Sequence, residues 1–444
     1  MKAKTRLALA AIAAVPFIMV LGNSMLIPVL PQIKKALDIS QFQVSLLITL
    51  FSIPAGLTIP FAGFLSDRLG RKKIIVPALI IYGLGGVIAS IAVLLVKHPY
   101  PLILAGRVVQ GIGAAGTAPV AMALAGDIFT SKERSKALGV IESSNGLGKV
   151  ISPVLGSLIG LISWSAAFFL FPALCIPAAA AIWYIVKEPQ GAGSQQPIKD
   201  YVTSIGKILK NKAGFLLTAF LAGSLVLLIL FGVLTYLSDF LETKYHLFNT
   251  RKGLVLAIPV LFMSTTSLLT GHFIQKKLNL MKRLVIIGLA LITISLAIIP
   301  FFRNIFFFVG TMSFAGIGVG LVLPCLNTMI TSSASTDERG MVTSLYGGVR
   351  FFGVAIGPPL FGWLVGISPF VMFWSAAGSA LLIGILSTFL LPVKFNMQAQ
   401  QKEANKKKKP LSGLFMDTIT FRNTLGRVVT RKPLPAKKEN KRES

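Results

Sequence analysis

Charge is scarce in this chain. Of its 444 residues only 13% are Asp, Glu, Lys or Arg, against about a quarter in soluble domains. There are two cysteines, Cys175 and Cys325, both inside apolar stretches, which argues against a disulfide framework. The three histidines, His98, His246 and His272, stand far apart with no ligand spacing, so they build no metal centre. No nucleophile elbow, phosphate-binding glycine loop or zinc motif occurs, and neither an enzyme nor a cofactor is expected. Acids are the scarcest of all: 15 Asp and Glu stand against 44 Lys and Arg, a net charge of +29.

What the chain has in quantity is hydrocarbon, at 54% of residues. It comes in blocks of about 20, the length of helix that crosses a bilayer. Twelve blocks are read: 7–30, 42–65, 73–96, 101–125, 137–161, 164–186, 213–238, 253–275, 284–302, 304–330, 341–366 and 369–391. The first follows "MKAKTR" but is too long for a secretory h-region and ends in no small-residue cleavage site, so it reads as a retained helix. The expectation is an all-α, multi-pass membrane protein.

The basic residues orient it. With the N-terminus inside, inner segments hold 34 of the 44 Lys and Arg, which predicts both termini in the cytoplasm by the positive-inside rule. Most of the net charge is therefore topology and tail, with no aromatic-basic platform for nucleic acid. The tail, residues 393–444, carries 14 basic residues and is expected to be drawn to anionic lipid. Leu411 to Val429 reads either as a short amphipathic helix on the bilayer or as solvated chain.

The stretch 187–212 interrupts the hydropathy with Gly, Pro, Gln and Lys, and reads as a linker between two six-span halves, 1–186 and 213–392. Sliding the chain by 205 residues superposes seven landmarks. Gly111 falls on Gly316, Gly113 on Gly318, Pro119 on Pro324, Glu133-Arg134 on Glu338-Arg339, Gly148 on Gly353 and Pro153 on Pro358. A duplication of like topology implies a pseudo-two-fold along the membrane normal and a site between the halves.

"GFLSDRLGRKK" (Gly63 to Lys73) resembles the signature loop of the major facilitator superfamily, and "LAGRVVQGIGAAG" (Leu104 to Gly116) its fourth-span motif. The fifth span is similar to the Gly-x8-Gly-x3-Gly-Pro-x2-Gly-Gly pattern of the drug/proton antiporter branch, with Gly139, Gly148, Ser152-Pro153 and Gly156-Ser157. The resemblance implies twelve helices in two pseudo-symmetric halves that work by alternating access. It also implies a conformational latch of Gly63, Asp67, Gly70, Arg71 and Asp127. There Asp67 caps the eleventh span and Arg71 pairs with Asp127 at the end of the fourth. The second-half counterpart from Gly271 offers Gln275 in place of the aspartate. The small residues and prolines Gly139, Gly148, Pro153 and Gly156, with Gly353, Gly357 and Pro358 in the second half, are expected to form a packing seam, with span five against a helix of the other half.

Charges inside spans are costly, at about 3 kcal/mol or more each, and face cavities or partners. Arg107, Lys149 and Arg350 qualify, and Glu142 is the acid well inside a span. Glu142, Asn145 and Lys149 are spaced i, i+3, i+7 and share a helical face. The offset makes Arg350 the counterpart of Asn145. A central cavity of Asn23, Arg107, Gln110, Glu142, Asn145, Lys149 and Arg350 is therefore expected, with Asp239 at its outer end. Related antiporters carry an acid late in the first span where this chain has Asn23. Lys149 then answers either Glu142 or an anionic substrate. The alternatives are a network that only orders the helices and a snorkelling lysine.

The expected function is proton-coupled export of amphiphilic, anionic small molecules such as drugs, siderophores or metabolites. The expected setting is a bacterial plasma membrane and a monomer with small molecules, protons and lipid as partners. The rivals are a cationic multidrug exporter, a lipid flippase or importer of the same fold, and a membrane sensor acting through its basic tail.

Overall fold

A computed structural model describes residues 3–129, 131–188, 212–274, 278–301, 304–333 and 339–392. Most of the predicted linker, Gln275, Glu338 and the whole basic tail lie outside the described residues.

The first half contains α1 (Ala3–Ser24), α2 (Leu30–Leu37), α3 (Gln41–Leu69), α4 (Arg71–Leu95), α5 (Tyr100–Ala115), α6 (Ala118–Ile128), α7 (Ser131–Ile162) and α8 (Ala166–Ile185). The second contains α9 (Ala213–Tyr245), α10 (Asn249–Phe273), α11 (Leu278–Ile298), α12 (Ile305–Ser333), α13 (Arg339–Ile367) and α14 (Pro369–Leu390). Two crossings are broken helices, α1 with α2 and α5 with α6, so twelve segments are long and apolar enough to span a membrane. Helix is the form a spanning chain can take without stranding its peptide groups in hydrocarbon.

The breaks have local causes. Pro28 and Pro31 interrupt the first crossing, which tightens to a 3-10 turn at Ile27–Val29. Pro31 has no N–H to offer the carbonyl of Ile27, and Ser238 Oγ of α9 donates to that oxygen at 2.9 Å. The next crossing starts at a capping box: Ser40 Oγ accepts from the Gln43 amide and Gln43 Oε1 from the Ser40 amide.

The packing of helices repeats from half to half. Within the first half α1 packs on α7 and α8, α3 on α5, and α4 on α5 and α8. Within the second, α9 packs on α13 and α14, α10 on α12, and α11 on α12 and α14. Each of these pairs recurs six crossings later, the pattern expected of a duplication. The halves meet along α3 with α13 and along α7 with α10, again a symmetric pair of seams. The outer face carries large apolar side chains such as Phe61, Leu95, Trp183 and Phe389, which a bilayer covers and water would not.

Candidate functional site

A cavity of about 140 Å3 lies between the halves, walled by α1, α3, α7, α9, α10, α12 and α13. Most of its wall is apolar, including Met19, Phe51, Leu230, Leu234 and Phe351. Its polar groups are Asn23 and Ser24 from α1, Asn145 and Lys149 from α7, and Arg350 from α13. No Asp or Glu lines it among the described residues. Lys149 and Arg350 come from opposite halves and lie close enough for their charges to interact. The Arg350 guanidinium stands 5.3 Å from the Tyr346 ring, and its buried Nε has no hydrogen-bond partner.

Arg107 and Gln110 are not cavity residues. Both are fully buried behind its wall. Arg107 donates from Nε to the Leu47 carbonyl at 2.8 Å, from Nη1 to Gln110 Oε1 at 2.7 Å and from Nη2 to Asn23 Oδ1 at 2.6 Å. Its guanidinium lies 4.4 Å from the Phe51 ring, and Asn23 passes the network on to Ser52 Oγ at 2.9 Å. The charge is held by neutral acceptors and a ring face, so it ties α1, α3 and α5 together and reaches the cavity through Asn23.

Glu142 also departs from the expectation. On α7 the exposed stripe Val140, Leu147, Ile151 and Leu158 faces lipid. Glu142 is exposed on the opposite face, with Gly146 and Lys149, where a small crevice runs between α7, α10 and α12. It does not line the central cavity. Lys149 lines both spaces and feels the charge of Glu142. Asp239 is outside the cavity too. It sits near the far end of α9, within electrostatic reach of Lys34, Glu242 and Lys252. There Lys252, with a side chain only 1% exposed, pairs with Glu242 at 2.5 Å. Lys252 stands one residue before the predicted block 253–275.

At the other end of the molecule, Arg71 pairs with Asp67 on one side and places Nε 3.2 Å from Asp127 Oδ2 on the other. Its Nη1 donates to Ser66 Oγ at 2.7 Å. The Asp67 carboxylate reaches the first turn of α13, where a Cβ added to Gly340 would come 3.7 Å from Oδ2. Gly63 lies against Ser344 of α13, and Gly70 has φ +106°, a backbone that glycine adopts without strain. Glu188, missed in the sequence, accepts the amides of Arg71 at 2.5 Å and Lys72 at 3.1 Å. A carboxylate on a helix N-terminus answers both the orphan N–H groups and the dipole. The available signal was a lone acid directly after the sixth span.

The seam residues divide differently from the expectation. Gly148 faces Phe17 and Val20, and Gly156 faces the Met25 carbonyl, both in the first crossing of their own half. Gly353 and Gly357 face Ser224 and Leu228 of α9, again in their own half, and Pro358 is buried on α13. Gly139 has open space beside it. Of the expected set only Pro153 is seen against the other half, and it is joined there by residues outside that set. Gly253 of α10 lies against Pro153 and Ser157 of α7, and Gly56 of α3 lies against Gly348 of α13.

The family model described as Major Facilitator Superfamily matches residues 12–351 and again 248–434. A bacillibactin exporter of Bacillus subtilis is 42% identical over 89% of this chain and 98% of its own length. Multidrug resistance protein 2 of the same organism is 27% identical over 86% and 94%. Among solved structures, a bacterial homolog of the human lysosomal transporter Spinster, inward-facing and unoccupied, superposes with a TM-score of 0.70 at 16% identity, covering 88% of this chain and 96% of that one.

Proposed function

The chain belongs to the Major Facilitator Superfamily, and on that premise we propose that it exports amphiphilic organic anions across the plasma membrane by alternating access, with the proton as coupling ion. It is a transporter and not an enzyme. The observation that carries the reading is the pairing of Lys149 and Arg350. One cation from each half faces the same largely apolar cavity, with no acid on its wall. An acidic group answers both charges, and a hydrocarbon body suits the remaining wall.

Relatives that export bacillibactin and drugs support the outward direction and an amphiphilic cargo, with siderophores and acidic metabolites as the chemical classes to test first. In this reading both termini lie in the cytoplasm, which the bias of basic residues supports, and the Asp67–Arg71–Asp127 cluster belongs to the inner surface. There it acts as the latch that holds the inner ends of α3, α4 and α13 in register. Glu142, at the mouth of a crevice leading to Lys149, is the proton carrier in this reading. A cavity of about 140 Å3 is small beside the 300–1,000 Å3 typical of ligand pockets, so a full-sized cargo requires the halves to part.

The test is a thermal-shift series on the purified protein with matched anionic, neutral and cationic amphiphiles. A ligand that binds the folded state alone raises the melting temperature by mass action. Anions are expected to stabilise most, and Lys149→Ala is expected to remove their advantage over neutral analogues. Stabilisation by cations alone would overturn the anion reading.

A further inference from the structure

The two halves are filled differently at equivalent places. The offset of 205 residues that pairs Gly111 with Gly316 also pairs Arg107 with Met312 and Gln110 with Ala315. The equivalence is structural as well: Gly111 abuts the backbone of Phe51 on α3, and Gly316 abuts the backbone of Pro259 on α10. In the first half the guanidinium and carboxamide occupy the space between α1, α3 and α5, tied by hydrogen bonds. In the second half Met312 and Ala315 leave a void of about 20 Å3 among α9, α10, α11 and α12.

Every side chain lining that void is apolar, Ile292, Leu296 and Val319 among them. A space so lined stays dry and receives apolar guests. Leu230 and Leu234 line both the void and the central cavity, so these two side chains stand between them. Leucine side chains exchange among staggered rotamers, and turning them joins the two spaces. At the equivalent place in the first half Arg107 is fixed by three acceptors.

We propose that the void is an apolar annex of the substrate cavity, which takes an uncharged alkyl or aryl group of a ligand whose polar end stays between Lys149 and Arg350. Leu230 and Leu234 are its doors, and Met312 and Ala315 set its depth. The annex rests on reading the central cavity as the substrate site, but not on the sign of the substrate charge.

Binding of a series of 4-alkylbenzoates and the matching neutral 4-alkylbenzamides to the purified full-length protein separates these claims. In the wild type the dissociation constant should fall about fourfold per methylene over the first few carbons, the factor that corresponds to ~0.8 kcal/mol per buried CH2. Ala315→Leu fills the void without touching the cavity wall. It should reduce that gain to under twofold while leaving the shortest ligands unchanged. Val319→Ala deepens the void and should extend the gain by one carbon, which guards against a variant that merely folds poorly. Xenon binding followed by NMR should be present in the wild type and lost in Ala315→Leu. An equal loss for all chain lengths, or a gain untouched by either substitution, overturns the annex. Benzoates that bind no better than benzamides overturn the anion reading and leave the annex standing.

Discussion

Ser238 Oγ, on the first helix of the second half, donates to the carbonyl of Ile27 in the broken first helix of the other half, at 2.9 Å. The proline break at Pro31 creates the acceptor, and the partner half supplies the donor. Ile27 also lines the central cavity, so the same residue touches that cavity and the contact between halves. Parting the halves at this end breaks the bond.

Ser238→Ala should therefore favour the outward-open state. Losing one buried hydrogen bond of about 1 kcal/mol shifts the equilibrium roughly fivefold. Spin labels at Lys35 and Thr243, both exposed near that end, should report a larger long-distance population. An unchanged distance distribution would remove Ser238 from the gate.

Glu188→Gln should weaken the inner end. The amide keeps one acceptor for the Arg71 and Lys72 N–H groups but loses the charge at the start of α4. A capping loss of this kind is about 1 kcal/mol. Thermal unfolding in detergent should show that loss, with a slower transport rate in proteoliposomes. Unchanged unfolding would mean that the carboxylate is merely tolerated there.

Arg107→Met copies the second half's choice into the first. It strands the acceptors Gln110 Oε1 and Asn23 Oδ1 and takes an extra donor from the Leu47 carbonyl, and should destabilise by about 3 kcal/mol, as unsatisfied buried groups do. Adding Gln110→Ala removes one stranded acceptor and should recover part of the loss. Simple additivity of the two substitutions in a denaturation cycle would argue against a shared network.

Glu142→Gln should abolish transport driven by an imposed pH gradient while leaving ligand-induced thermal stabilisation intact. Transport in proteoliposomes after a pH jump checks the first, and the thermal-shift series checks the second. Wild-type rates in the variant would sink the proton-carrier role.

The spans were legible because hydropathy is a property of the chain alone, read one helix at a time. Gly111 and Gly316 announced the repeat for the same reason. What sequence could not supply was the identity of the neighbour. Helical spacing puts Gly148 on a face of α7, but both α1 and α10 pack on that helix, and the wrong one was expected. Arg107 looked like a cavity cation because depth is visible in a sequence and hydrogen-bond acceptors are not. Glu188 caps a helix more than a hundred residues away, a relation no local pattern encodes. Glu142 and Lys149 do share a face, yet that face opens onto two spaces, and only packing divides it between them.

Gly56 and Gly348 give the α3–α13 seam a fulcrum. A Cβ on either would come within 2.8 Å of the other's carbonyl oxygen, so backbone bears on backbone at the middle of α3 and a third of the way along α13, both 29-residue helices. At about 1.5 Å per residue this leaves lever arms of ~20 Å to either side in α3, and of ~14 Å and ~29 Å in α13. A tilt of roughly 10° about that point carries the tips by ~2–5 Å in opposite directions at the two ends. With such a bearing, widening one mouth narrows the other as a matter of leverage, and a bulkier residue at the fulcrum would jam both.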